Sequence, residues 1–359
     1  MKARCLNPTT AWICGTIRSK SDGILSPHMV FSPKAAYKYF MDICGAPVHA
    51  ARMMQKFETS VPCGHCAACE IRKRRDWTTR LSNEVSASSK CCFITLTYDD
   101  DHVPVTCFNS LKSDCKIVDR GVGELPLQTL LVSDVQKFVK RLRRHLDYVP
   151  KSAKLRSARD HVDVPIRYYV CGEYGSKYRR PHYHLLIFGW SPSDMMPWQS
   201  RDGHMIYRSA QIEKLWKFGF STVAPVEGGV AKYCARYVTK KFARLNCSDP
   251  FADSVFPEFS LQSVRNGGIG APWFDANVDS VMAKGYVDVC VDGRLYLKQP
   301  IPSYYWRRAR DKRPCAWLQL RHERMLVAKS LPKVDVDELI RSVQCYEERE
   351  RRLSANELF

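Results

Sequence analysis

A chain of 359 residues, 45% of them apolar, carries enough hydrophobic material for one large core or two smaller ones, which excludes disorder throughout. Its 56 Lys and Arg against 37 Asp and Glu leave a formal charge of +19, an excess suited to a polyanionic partner, nucleic acid ahead of a membrane surface. No apolar run approaches the roughly 20 residues that span a bilayer and no signal-peptide core follows Met1, so sixteen cysteines imply reduced thiols in a cytosol.

Residues 1–60 show no sustained period and read as an N-terminal extension. Cys63, Cys66 and Cys69 then stand at i, i+3 and i+6 ahead of a helical run to about Ser86. The spacing suits a zinc knuckle with His65 or Cys44 as fourth ligand; buried thiols packing a helix start would give the same pattern. Arg72, Lys73, Arg74 and Arg75 form a basic face on that helix. Cys91–Tyr98, rich in β-branched and aromatic residues, predicts a core strand. It is stopped by Asp99, Asp100 and Asp101, a triplet that more often caps a loop than holds a cation. Residues 102–129 predict a long loop or small hairpin. From Ser133 to Leu146 the apolar positions Val135, Phe138, Val139, Leu142 and Leu146 fall at helical spacing, with Lys137, Lys140, Arg141, Arg143 and Arg144 opposite.

The stretch from Ile166 to Trp190 holds two apolar runs with a polar cluster between them. Side chains alternate along a strand, so His182 and His184 share one face while Tyr183 points to the other. Glu173, near the end of the preceding strand, is close enough across an antiparallel return to supply an oxygen. Two imidazoles and a carboxylate on a rigid sheet suit a catalytic divalent ion. A bare His-x-His pair is satisfied equally by hydrogen bonds at a strand end, and Glu173 is what favours the metal.

Beyond Trp190 the pattern predicts a short helix at Ser209–Trp216, a strand at Gly219–Pro225 and a helix from Gly228 to Phe242. Tyr233 and Tyr237 lie one turn apart on that helix with Lys240 three residues on; taken alone, such a pair describes a packed aromatic stripe. From residue 245 a basic C-terminal subdomain follows. It holds a hairpin at Asp292-Gly293, arginines interleaved with aromatics from Tyr304 to Arg313, and a charged helix from about Val336 to Leu353. The order strand, helix, strand, strand, helix, strand from residue 91 predicts an α+β fold: a mainly antiparallel central sheet with flanking helices.

Three pieces in fixed order, Phe93-Ile-Thr-Leu-Thr97, Pro181-His-Tyr-His184 and Tyr233-x-x-x-Tyr237-x-x-Lys240, resemble the motifs of the HUH endonucleases, the initiators of rolling-circle replication. The paired tyrosines resemble those of initiators from small isometric single-stranded DNA phages. The Cys63–Cys69 knuckle and Gly172-Glu-Tyr-Gly175 look most like the gokushovirus branch of the microviruses. The resemblance implies a ferredoxin- or RRM-like endonuclease domain at 61–244, acting in the cytoplasm of a bacterial host. It implies His182, His184 and Glu173 as ligands of Mg²⁺ or Mn²⁺, Tyr233 and Tyr237 as nucleophiles, and Lys240 as a positive charge beside them. The implied activity is a nick in origin DNA that leaves a 5′-phosphotyrosine and a 3′-OH primer, with a host helicase and polymerase as partners. Two rival readings are a histidine-triad hydrolase, which lacks its third histidine because Leu186 stands there, and a non-catalytic zinc-dependent DNA-binding regulator.

Overall fold

The computed structural model describes residues 8–18, 25–64, 66–106, 127–152, 166–175, 178–201, 204–226, 255–264, 267–291 and 295–330, with Cys5 and a few single positions after 340. The chain divides into two compact units, one of residues 1–75 and 307–359, the other of residues 76–306.

In the first unit, β1 (Thr9–Arg18) pairs antiparallel with both β2 (Leu25–Val30) and β3 (Glu58–Val61), and helices α1 (Pro33–Cys44) and α2 (Pro47–Phe57) lie between β2 and β3 in sequence. Trp12 and Cys14 of β1 pack with Ala36, Phe40 and Ala50 of the helices. Ser32 caps α1 through its side chain, and Gly45 ends it in the left-handed region, φ 66°. Helix α3 (Ala67–Ser86) contains the boundary between the two units.

The second unit is built on a seven-stranded sheet, and the α+β expectation is borne out. In chain order its elements are β4 (Cys91–Tyr98), the short pair β5 (Val105–Thr106) and β6 (Leu127–Gln128), helix α4 (Val132–Ser152), β7 (Arg167–Tyr174) and β8 (Pro181–Phe188). Then come β9 (Met196–Arg201), β10 (His204–Arg208), α5 (Ala210–Leu215), β11 (Gly219–Pro225), β12 (Phe259–Gln262), α6 (Ala271–Lys284), the hairpin β13 (Val287–Val291) and β14 (Leu295–Gln299), and α7 (Ser303–Lys312). Helix α8 (Pro314–Ser330) belongs to the first unit. The large sheet runs β12-β7-β8-β4-β11-β10-β9, each neighbour antiparallel to the next. Strands β9 and β10 occupy a stretch whose proline and serine content reads as loop. Strand β12 comes from the region after residue 245 and extends the sheet beyond β7. The expected hairpin turn at Asp292-Gly293 and the helix after Val336 lie outside the described residues.

The two faces of this sheet differ. On one, Ile94, Leu96, Tyr98, Val170, Leu185 and Ile187 pack against Val135, Phe138, Val139 and Leu142 of α4, so the basic side of α4 points away from the sheet altogether. Tyr183 is buried here too, its hydroxyl 2.7 Å from that of Tyr98, which donates to Asp134 at 2.9 Å. On the other face, Phe93, Tyr169, Cys171, Leu186 and Phe188 are covered by Trp77, Leu81 and Val85 of α3. At Gly172 an added Cβ would fall 2.6 Å from the ring of Phe259, so only glycine lets that ring of β12 lie across β7.

Glu84 of α3 and Arg167 of β7 form an ion pair beneath this second face, their side chains only 2% and 12% exposed. Glu84 also accepts from the N–H of Gly270 at the start of α6, and Arg167 donates to the carbonyl of Gly268, so one pair joins a helix, a strand and a helix cap. Burial pushes the Glu84 carboxyl above its ordinary range, opposed by the Arg167 charge. Its ionisation therefore costs the fold more as pH rises through the raised value, unless Arg167 is present to answer it. Arg167→Met should lower stability by about 3–5 kcal/mol at neutral pH. The loss should shrink as Glu84 protonates in acid, and Glu84→Gln in the same background should recover part of it. Urea unfolding at the two pH values measures all three.

Candidate functional site

The site forms where the second face escapes α3, at the end of the sheet holding the last residues of β4 and β7 and the first residues of β8. Registration builds it. Glu173 pairs with His182, His182 with Thr97, and Thr97 with Phe220, so these four side chains form one row across β7, β8, β4 and β11. The next row is Cys171, His184, Thr95 and Thr222. At about 4.8 Å per strand the first row spans about 14 Å.

One ligand atom from each of Glu173, His182 and His184 lies within 4.8 Å of the other two. The rings of the two histidines are 4.8 Å apart and nearly perpendicular, at 83°. Each has its Nδ1 engaged: His182 with the Arg180 carbonyl at 3.1 Å, His184 with the Thr95 hydroxyl at 3.1 Å. With Nδ1 as the donor, the Nε2 lone pair of each ring is left for a cation, the tautomer that a metal-binding imidazole needs. His184 is also fixed from behind by Phe93, whose ring stacks on it at 5.4 Å, and is 8% exposed. Two imidazole nitrogens and a carboxylate oxygen on two adjacent strands fit a divalent ion with open coordination positions.

The alternation that gathers the imidazoles removes Tyr183 from the chemistry. Its phenol points into the opposite core, hydrogen-bonded to Tyr98 and to the backbone of Leu131, and burial raises it above the usual phenol range. Tyr98 is raised likewise, by burial first and the Tyr183 and Asp134 neighbours next. Neither is a nucleophile. The acidic triplet resolves as turn chemistry: Asp99 accepts from the backbone and ring of His102, and Asp100 pairs with Arg180 at 2.7 Å. Tyr233, Tyr237 and Lys240 lie outside the described residues. The last described residue before them, Val226, packs on the imidazole face with Phe93 and Leu186.

Two features escape a reading of the sequence. Phe220 is 65% exposed although it sits within a strand, in the His182 row. In Gly219–Pro225 the apolar positions do not alternate cleanly, so nothing marks Phe220 as the one facing solvent. In the first unit, Cys5 joins Cys63, Cys66 and Cys69, with all four sulfurs within 4.8 Å of one another. A separation of 58 residues from Cys63 hides that partner. Among the described residues no helix is long and apolar enough to cross a membrane.

A family model for replication-associated proteins of the ORF2 type matches residues 91–242, a span holding both site rows and the tyrosine helix motif. The chain is 28% identical over 308 residues to Replication-associated protein VP4 of Bdellovibrio phage phiMH2K, covering 86% of this chain and 85% of that protein. It is 29% identical over 252 residues to Replication-associated protein ORF2 of Spiroplasma virus 4, covering 69% and 67%. A third relative, Replication-associated protein ORF4 of Chlamydia phage 1, is 29% identical over 194 residues, 53% of this chain and 40% of that protein. No solved structure matches. The chain is therefore a relative of phage replication-associated proteins, as the resemblance read from its three motifs implies.

Proposed function

We propose that the protein initiates phage DNA replication as an HUH-type nickase, cutting one strand of origin DNA in the cytoplasm of a bacterial host. The observation that carries this reading is the convergence of Glu173, His182 and His184 on one point at the uncovered end of the sheet. The names of the relatives and the family match support the replication role, and the +19 charge supports a DNA partner.

Glu173, His182 and His184 would hold Mg²⁺ or Mn²⁺. Such an ion draws charge from a non-bridging phosphate oxygen and makes the phosphorus easier to attack. The protein supplies the rest. Arg180 and Thr95 hold the two imidazoles in the required tautomer and orientation. The phenol of Tyr233 or Tyr237 attacks the scissile phosphorus, its proton leaving to solvent as the phosphorus–O3′ bond breaks. The products are a 5′-phosphotyrosine and a 3′-OH that serves as primer for host polymerase and helicase. Lys240, three residues past Tyr237, favours the phenolate form of its neighbour. The linkage conserves the energy of the broken phosphodiester, so rejoining by the freed 3′-OH requires no nucleotide. With two tyrosines, one retains the old 5′ end while the other cuts the regenerated origin.

Phe220 deepens the site. An exposed ring in the same row as His182, two strands away, is placed to stack on an unpaired base and so set which phosphate meets the imidazoles.

Incubating the whole chain with a single-stranded origin oligonucleotide and Mn²⁺ should yield a peptide containing Tyr233 or Tyr237 that carries the 5′ fragment, detected by mass spectrometry. EDTA or His182→Ala should abolish the adduct. DNA binding without any adduct would favour the non-catalytic regulator instead. Tyr233→Phe and Tyr237→Phe should each permit a first cut but block release of closed circles. Thr95→Val should weaken Mn²⁺ binding by about 10–100-fold in calorimetry, since it removes only the group that orients His184. Phe220→Ala should cost about 1–3 kcal/mol in single-strand binding by fluorescence anisotropy, and Phe220→Trp should retain it.

A further inference from the structure

We infer that Cys5, Cys63, Cys66 and Cys69 form a closed four-thiolate zinc centre, with Cys5 rather than His65 or Cys44 as its fourth ligand. The β1–β3 ladder brings the ligands together. Thr9 pairs with Val61; Cys5 lies four residues before the first and Cys63 two residues after the second, so both leave the same end of the ladder. Cys66 and Cys69 follow on the turn that opens α3.

The sulfur spacing is that of a coordination sphere. A tetrahedron with zinc–sulfur bonds of about 2.3 Å has edges of about 3.8 Å. Cys5 Sγ stands 3.4 Å from Cys63 Sγ and 3.7 Å from Cys66 Sγ. Both distances far exceed the length of about 2.05 Å that a disulfide requires. The backbone around the thiols favours their charged form. The Cys63 N–H donates to Cys5 Sγ at 3.2 Å, and the Cys66 N–H donates to Cys63 Sγ at 3.3 Å. Gly64 makes this wrap possible at φ +84°, a value that disfavours any side chain. Cys69 sits in the first turn of α3, where the helix N-terminus favours an anion.

Four thiolates on one zinc ion carry a net charge of −2, and cations lie beside them. Arg72 Nη2 is 3.9 Å from Cys69 Sγ, and Lys73 Nζ donates to the Gly64 carbonyl at 2.7 Å. Soft sulfur donors select zinc over the magnesium or manganese suited to the His182 site, and a full set of four protein ligands leaves no position for substrate. The centre is structural. It ties the N-terminal end of β1 to the start of α3, across 58 residues of chain.

The test uses the full chain, purified under reducing conditions. One equivalent of zinc should remain through gel filtration. Replacement by Co²⁺ should give a thiolate-to-metal charge-transfer band and the intense visible absorption of a tetrahedral site, both preserved in the His182→Ala/His184→Ala double variant. Loss of an outer-shell partner alone costs about 10–100-fold in affinity, so Cys5→Ser, which removes a ligand, should weaken zinc binding by at least about 100-fold, while Cys44→Ser should leave it unchanged. A cobalt spectrum without charge transfer overturns the proposal. Wild-type zinc affinity in Cys5→Ser also overturns it. Should Cys5→Ser fail to fold, the wild-type charge-transfer intensity still decides, because it scales with the number of thiolates bound.

Discussion

Everything in the candidate site rests on the alternation of side chains along β8. From Pro181 to Phe188 each residue faces the side opposite to its neighbours', so two imidazoles leave the strand one way while Tyr183, Leu185 and Ile187 enter the α4 core the other way. The core side anchors the strand: the Tyr183 hydroxyl is held by Tyr98 and by the Leu131 backbone, which prevents β8 from turning about its axis. Rigidity on one side thereby becomes accuracy on the other, where the imidazoles need to meet a carboxylate from the neighbouring strand.

The second face is used in two halves. Near its middle, α3 covers Phe93, Tyr169 and Leu186 and encloses the buried Glu84–Arg167 pair. Toward the ends of β4 and β7 no described helix covers it, and the polar residues begin there: Thr95, Thr97, Glu173, His182 and His184. The change from apolar to polar along single strands marks where packing ends and chemistry can start. Thr95 joins the two regimes, since its hydroxyl orients an imidazole whose other flank is a core phenylalanine.

Much of this is legible in the sequence. Cys91–Tyr98 and Gly219–Pro225 are strands with the predicted bounds, because β-branched and aromatic runs bounded by Asp or Gly leave few alternatives. The antiparallel return that the spacing predicts between Glu173 and His182 is present, and the register pairs the two directly. What does not show locally depends on distant partners. Strands β1, β2 and β3 have too weak a period to be read singly and exist because they pair with one another over a small helical layer. Strands β9 and β10 carry Pro197 and a register shift, features tolerated toward a sheet edge and misleading in a local reading. The edge strand Phe259–Gln262 is set by the absence of a side chain at Gly172, which composition alone cannot reveal.

The β4–β8 ladder has a further consequence for how the molecule can go wrong. It matches Thr95 with His184 and Thr97 with His182. Displacing either strand by a single residue would turn its whole apolar set outward and carry both imidazoles into the hydrophobic interior. No half-working arrangement lies between those states. A population of imperfectly folded molecules should therefore divide into competent and inert fractions rather than show a graded loss, because hydrophobic sorting enforces the same alignment that the imidazoles require.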